Sequence, residues 1–277
     1  MTRLQQQDID ELRPNLSTYE QRLRAATGSG LADIAAHALG MQPITNGRLL
    51  RDTVAAVIPV SYGEGLIPGF SEAVQSILAF LGCTAFVTEQ SNVLGLGEAI
   101  EQRATLMFLS DDDDFVAMNL TTGRTSHNSE ATGRGYGAAL DLMAGGVDAR
   151  DVLIIGAGPV GQAAARYLDA HGGRVTVYDH DHDRAHALIE TISGGRRATD
   201  LAIALQRCSL IIEATPSAGV LTRKNLTSRT MIAAPGVPLG VDSEGQAFLG
   251  RRLIHDALEI GVATMLYTVL APMTAGE

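Results

Sequence analysis

Apolar positions in the first half of the chain fall into two alternating rhythms. The short runs "VAAVIPV" (54–60), "CTAFVTE" (83–89) and "ATLMFLS" (104–110) have the length and composition of buried strands. Helical spacing takes over in "GFSEAVQSILAFLG" (69–82) and again over 94–102, so the pattern predicts strand, helix, strand, helix, strand. Upstream, Ile9, Leu12, Leu16, Tyr19 and Leu23 mark one face of an amphipathic helix that Pro14 kinks or delays. After the third strand the chain runs through Asp111, Asp112, Asp113 and Asp114 into a further apolar run, "FVAMN" (115–119), which predicts a hairpin turning on Asp113 and Asp114. "TTGRTSHNSEATGRG" (121–135) is rich in Thr, Ser, Gly and Asn and predicts a loop crossing between domains, ahead of a helix over 136–143.

The second half opens on "DVLIIGAGPVGQAAARYLDAHGGRVTVYDHD" (151–181), which reads as strand, glycine turn, amphipathic helix and strand: one βαβ unit. Gly156, Gly158 and Gly161 form G-x-G-x-x-G between strand and helix, the context that gives this spacing physical meaning. Gly156 permits the tight turn, Gly158 removes a side chain where a pyrophosphate approaches, and Gly161 lets helix and sheet pack closely. Unpaired N–H groups at the helix start face the phosphates. Pro159 fits the first helical turn, whose N–H is unpaired in any case, and Val160 completes the loop.

The expected cofactor is NAD, because Asp179 closes the next strand where a carboxylate accepts from both ribose hydroxyls and repels a 2′-phosphate. Arg184, five residues on, would favour that phosphate, and a helix-capping role is the plainer reading of Asp179. Two further strand ends, "LIIEATP" (210–216) and "TMIAAPGVP" (230–238), put Ala214, Thr215, Pro216, Pro235 and Gly236 on the nicotinamide side, with ordinary βα turns as the alternative. "VATMLYTVL" (262–270) predicts a buried helix closing the cleft, from which Met265 reaches the cofactor or, like Tyr267, packs in the core.

The expected fold class is therefore α/β with two domains. A small α/β substrate domain with an N-terminal helix (1–129) precedes a Rossmann NAD-binding domain (130–277). The length, 277 residues, is ample for two cores. A formal net charge of −10 and a single lysine, Lys224, leave no basic stripe for nucleic acid. Cys83 and Cys208 lie far apart and read as small buried hydrophobes rather than a disulfide or zinc site. With no apolar signal core and no run long enough to span a bilayer, the expectation is a soluble, cytoplasmic protein without a membrane partner. No metal is expected, since the aspartate run has no accompanying histidine or spaced ligand pattern. A homodimer is expected only from the general frequency of twofold assemblies.

Two-domain enzymes of the shikimate dehydrogenase and methylene-tetrahydrofolate dehydrogenase types share this plan but work with a lysine in the first domain, which this chain lacks. "VIPVSYGEGLIPGFSEAV", "LSDDDDFVAMNLTTG", "GAGPVG", "VYDHD", "IIEATP", "APGVP" and "GVATMLYTVL", in this order, resemble instead the pyrrolysine-forming dehydrogenases, over most of the chain from about 54 to 270. That resemblance implies NAD-dependent oxidation of the terminal amine of 3-methyl-D-ornithyl-lysine, a diamine, to an imine that becomes a semialdehyde and closes to a pyrroline ring. It also implies that Asp111 orients the reacting amine as a catalytic residue, with Asp112 second, and that Ser61 acts at the substrate from a hydroxyl-rich turn. Tyr62, His127 and Asn128 fall on family substrate-binding positions; Tyr62 stands where the family has a second hydroxyl, and His127 where it has asparagine. Asp256 falls where the family has an acidic residue, though Ala257 replaces the following proline. Two rivals stay open: an imine or ketimine reductase of the ornithine cyclodeaminase type, and a non-catalytic NAD-binding sensor.

Overall fold

The computed structural model describes residues 16–44, 50–63, 66–111 and 114–272. The predicted N-terminal helix runs as α1 (Leu16–Thr27); Ile9, Leu12 and Pro14 lie outside the described residues. Tyr19 and Leu23 are its buried face. A second helix, α2 (Leu31–Ala38), follows.

The first sheet is built as the apolar rhythm predicts: β1 (Val54–Ile58), α3 (Phe70–Phe80), β2 (Thr84–Val87), α4 (Asn92–Glu101), β3 (Leu106–Ser110) and the hairpin partner β4 (Phe115–Asn119), with β5 (Thr125–His127) at the edge. Its order is β2-β1-β3-β4-β5; the first three strands are parallel and the last two antiparallel. Ala73, Val74, Ile77 and Leu78 turn one stripe of α3 to the core, and the three larger side chains each contribute about 1.5–3 kcal/mol of burial.

The "loop" over 121–135 is corrected by the structure. From Asn128 onward it is helix, α5 (Asn128–Ala144), so the helix begins eight residues before the predicted start at 136. Its glycines serve close helix packing rather than turns. A Cβ at Gly133 would collide with the Val160 carbonyl oxygen, one at Gly135 would lie 2.5 Å from Thr264 Oγ1, and one at Gly137 would lie 2.7 Å from the Tyr167 ring.

The second sheet follows as β6 (Asp151–Ile155), α6 (Pro159–Ala170), β7 (Arg174–Tyr178), α7 (His182–Ile189), β8 (Arg196–Arg197), α8 (Leu201–Arg207), β9 (Leu210–Glu213), β10 (Met231–Ala233), α9 (Ser243–Leu249) and β11 (Leu253–Ile254). All its pairings are parallel, in the order β11-β10-β9-β6-β7-β8. The chain therefore reverses direction across the sheet between β6 and β9. The last helix, α10 (Glu259–Leu270), is buried almost all round and returns to α2, α3 and the β4–β5 edge of the first sheet as well as to α5. Asn119 Nδ2 donates to the Val269 carbonyl at 2.9 Å and pins it there. Both cysteines are buried and unpaired, as expected, and no described helix is long and apolar enough to cross a membrane.

Because the Val160 carbonyl blocks any Cβ at Gly133, Gly133→Ala should cost about 1–3 kcal/mol of stability, read as a lower urea midpoint at unchanged slope. A wild-type midpoint would show that α5 and α6 can part without cost.

Candidate active site

The carboxyl ends of β6 and β9 meet at the strand-order reversal, where open α/β sheets hold ligands. Gly156 has φ +97°, and a Cβ on it would lie 2.6 Å from the Ala214 carbonyl oxygen, so glycine both makes the turn and lets two loops touch. Gly161 has no room for a Cβ against the Gly156 carbonyl oxygen. Gly158 is the reverse case: nothing lies within 4 Å of where its Cβ would be, and it opens onto a cleft with Pro159 and Val160 at the start of α6. That open backbone before a helix N-terminus fits a pyrophosphate.

Asp179 is buried behind this loop. Its Oδ2 accepts from Ala157 N–H at 2.6 Å and its Oδ1 from Asp181 N–H at 2.8 Å. It braces the glycine loop and is not part of the cleft wall; Oδ1 also pairs with His180 Nδ1 at 3.2 Å, which leaves the further lone pair of Oδ2 for a hydroxyl donor. Arg184 does line the cleft and also pairs with Asp181 at 3.2 Å.

The cleft, about 360 Å³, lies between the strand ends of both sheets. Ala214, Thr215, Pro216, Pro235 and Gly236 line it beside the glycine loop, the positions expected to meet a nicotinamide. Opposite them stand Asp111, Asp114 and Asn128, backed by an apolar wall that includes Val57, Ile58, Phe70, Phe108 and Phe115. Asp111 is delivered by the end of β3: its N–H donates to the Asp114 carbonyl at 3.0 Å, and its Oδ1 accepts from Asp114 N–H at 2.9 Å. Asp114, expected only as a solvated turn residue, thus joins the cleft wall, with Oδ2 bonded to His127 Nδ1 at 2.5 Å. His127 itself is not on the wall; its ring is more than half exposed behind Asp114. Asn128 begins α5 and accepts from Thr132 Oγ1 at 3.1 Å. Asp112 lies outside the described residues.

Other expected site residues are not brought to this cleft. Ser61 is exposed and committed to Asn92, donating through N–H at 2.9 Å and accepting from Asn92 Nδ2 at 2.8 Å. Tyr62 is 69% exposed, and Val60 takes the wall position before them. Met265 is fully buried in the core on α10, as its plainer reading had it. Asp256 is corrected from a substrate ligand to a buried structural group. It accepts from the Tyr19 hydroxyl at 2.5 Å and from Ile260 N–H at 3.3 Å, while the Tyr136 hydroxyl bridges its backbone N–H and carbonyl. Beside it, Glu259 is buried at the start of α10, and burial followed by the Asp256 charge raises its carboxyl well above the usual glutamate range.

Glu213 was missed in the sequence because it ends an apolar strand, yet it organises the loops after β9 and β10. It is fully buried, and its carboxylate accepts from Thr215 N–H (2.9 Å), the Thr215 hydroxyl (2.5 Å) and Gly240 N–H (3.1 Å). Burial raises its pKa, and those three bonds offset only part of the rise. Gly236 and Gly240 leave room for it: a Cβ would lie 2.8 Å from Oε2 at the first and 2.5 Å at the second. An acidic residue closing an otherwise apolar strand, "LIIE", was the available signal.

Comparison with known proteins supplies a family context. A family model described as the N-terminal domain of pyrrolysine biosynthesis protein PylD matches residues 8–126, and one described as shikimate/quinate 5-dehydrogenase matches 138–242. The chain is 31% identical over 276 residues to a pyrrolysine synthase of Methanosarcina acetivorans, covering 98% of this chain and 100% of that one. It is 33% identical over 222 residues to one from Methanosarcina barkeri, covering 77% and 80%. Among solved structures, shikimate dehydrogenase from Aquifex aeolicus superposes with TM-score 0.51 at 14% identity, over 80% of this chain and 94% of that one. Shikimate 5-dehydrogenase from Thermus thermophilus, in complex with NADP(H) and shikimate, gives TM-score 0.51 at 20% identity, over 80% and 95%. At these identities the structural likeness is one of fold.

The folded chain binds the Glu259 proton more tightly than the unfolded chain does. The stability it contributes is complete below the unfolded glutamate pKa and is lost as pH rises toward the folded one. Glu259→Gln should therefore flatten the fall in urea midpoint between about pH 5 and about pH 9, and curves parallel to wild type would assign the fall to another group.

Proposed function

The chain belongs to the pyrrolysine synthase family, and from that premise we propose that it carries out the oxidation that closes the pyrroline ring in pyrrolysine biosynthesis. The substrate is the diamine 3-methyl-D-ornithyl-lysine. Its terminal CH2–NH3+ group loses one proton to the protein and a hydride to the cofactor, leaving an iminium carbon. Water converts that carbon to the aldehyde with release of ammonia, and the ornithine α-amine then condenses on it with loss of water. A nicotinamide bound at the glycine loop would supply the hydride acceptor.

The observation that carries this reading is the pairing of walls in one cleft: Asp111 on one side, and the open Gly158 backbone with the Thr215–Pro216 and Pro235–Gly236 loops on the other. An ammonium must lose a proton before hydride can leave its carbon, so a carboxylate at that wall has two tasks. Asp111 holds the cation in place and takes its proton, directly or through water. Phe70, Phe108 and Phe115 exclude bulk water on that side and pack against the aliphatic part of the substrate. NAD is favoured over NADP because Asp179 closes β7 beside the glycine loop, with a lone pair left on Oδ2 for a ribose hydroxyl.

Purified protein mixed with NAD and synthetic methylornithyl-lysine should raise NADH absorbance and yield a product with the mass of pyrrolysine. Asp111→Asn should lower turnover by about 100-fold or more while leaving NAD binding unchanged; a near-wild-type rate would remove Asp111 from the reaction. Asp179→Ala should narrow the preference for NAD over NADP in calorimetric binding. If the preference is unchanged, another group selects the ribose.

A further inference from the structure

The cofactor side of the cleft carries one polar side chain whose hydrogen is already committed. The Thr215 hydroxyl donates to Glu213 Oε1 at 2.5 Å, beside a second bond from Thr215 N–H to the same oxygen. Gly240 N–H binds the other oxygen at 3.1 Å, so three donors converge on a carboxyl group with no solvent exposure, and each of the three takes a lone pair from it. A hydroxyl with its one hydrogen held in this way can offer a neighbour only the lone pairs of its oxygen. Thr215 lines the cleft.

From this geometry we infer that Glu213 makes Thr215 a dedicated hydrogen-bond acceptor, and that Thr215 recognises an N–H donor on the ligand, the carboxamide NH2 of a nicotinamide ring. The inference rests on the nicotinamide reading of the cleft and adds the group that orients the ring. Glu213 is a positioning residue: it never meets the ligand, and it acts by fixing the direction of the Thr215 hydroxyl and the spacing of two loops. The loops have no freedom to drift. Gly236 N–H donates to the Glu213 backbone carbonyl at 3.2 Å, and a side chain at Gly236 would collide with the Thr215 carbonyl oxygen. The threonine's remaining acceptor capacity therefore keeps a set place on the wall. A ring held by a single directional bond at its carboxamide presents one face, and so one side of its reacting carbon, to the opposite wall where Asp111 stands.

The test compares two dinucleotides by titration calorimetry without substrate: NAD, and the analogue in which methyl replaces the carboxamide NH2 (3-acetylpyridine adenine dinucleotide). Wild-type protein should bind NAD about three- to tenfold more tightly, the worth of one neutral hydrogen bond. Thr215→Val, which keeps the shape and loses the oxygen, should bring that ratio close to one, and Thr215→Ser should restore it. Glu213→Gln places an amide NH2 against either Thr215 or Gly240 and should also shrink the ratio. A merely structural role for Glu213 would weaken both dinucleotides equally and leave the ratio intact. Equal affinities in wild type, or a ratio unchanged by Thr215→Val, would overturn the inference while leaving the cofactor reading standing. Failure of wild type to bind either dinucleotide would overturn the cofactor reading, and this inference with it.

Discussion

Helix α5 approaches α6 on one side and α10 on the other at distances only glycine permits, and the geometry of the cleft follows from that contact. Gly133 faces the carbonyl of Val160, itself a cleft residue in the glycine loop, while Gly135 faces Thr264 and Ile260 on α10. The first residue of α5, Asn128, stands on the opposite wall. One rigid helix thus spans both ligand-bearing sides, and its spacing from α6 sets the width between them. Interiors packed to this density do not deform continuously, so a single added methyl at the contact shifts a wall rather than filling a void. Gly261 repeats the device from the other direction, since a Cβ there would lie 2.6 Å from Thr132 Oγ1 and 2.8 Å from Asn128 Oδ1.

Buried acids secure what the glycines bring close. Asp179 ties the glycine loop to the end of β7, Glu213 ties the loops after β9 and β10, and Asp256 ties α1 to α10 through Tyr19 and Ile260. Each carboxylate would be costly if left alone in the interior, and each is supplied with N–H or hydroxyl donors that offset the loss of water. The penalty is visible at Glu259, where no comparable set of donors is assembled and the carboxyl is driven toward its neutral form. Three interdomain or interloop joints therefore depend on directional bonds to charge rather than on apolar contact alone.

This division explains how much was legible in the sequence. Strands and the glycine loop announce themselves through neighbours in the chain: "VLII" before G-x-G-x-x-G has only one compact solution, and the β3–β4 hairpin follows from two apolar runs around an acidic turn. The start of α5 was illegible because glycine, serine and threonine carry the same composition whether they make a loop or allow two helices to touch; only the partner helices decide, and they lie elsewhere in the chain. Asp256 and Ser61 sit at sequence positions suited to a site, yet Tyr19 and Asn92 claim them from 237 and 31 residues away. Asp114 reads as a turn residue because nothing local shows that its carboxylate faces inward to the cleft wall and back to His127. Residues whose role is set by local backbone geometry could be read directly, and residues whose role is set by a distant donor could not.

The charges that remain on the cleft wall divide between the two ligands the reading requires. Among the described residues lining it, the anions Asp111 and Asp114 stand on the side of the first sheet, and the one cation, Arg184, stands by the glycine loop. On the proposed reading a cationic amine is drawn to the first and an anionic pyrophosphate to the second, and the phenylalanines that back the aspartates limit screening by water on that side. Thr215, with its hydrogen turned away toward Glu213, adds an uncharged acceptor between these poles. Exchange of the two proposed ligands would set phosphate against carboxylate and ammonium against guanidinium, so the cleft's polarity favours the proposed placement. If the proposed diamine binds here, these charges would assign its two ends, and the apolar wall would have only to accommodate its aliphatic chain.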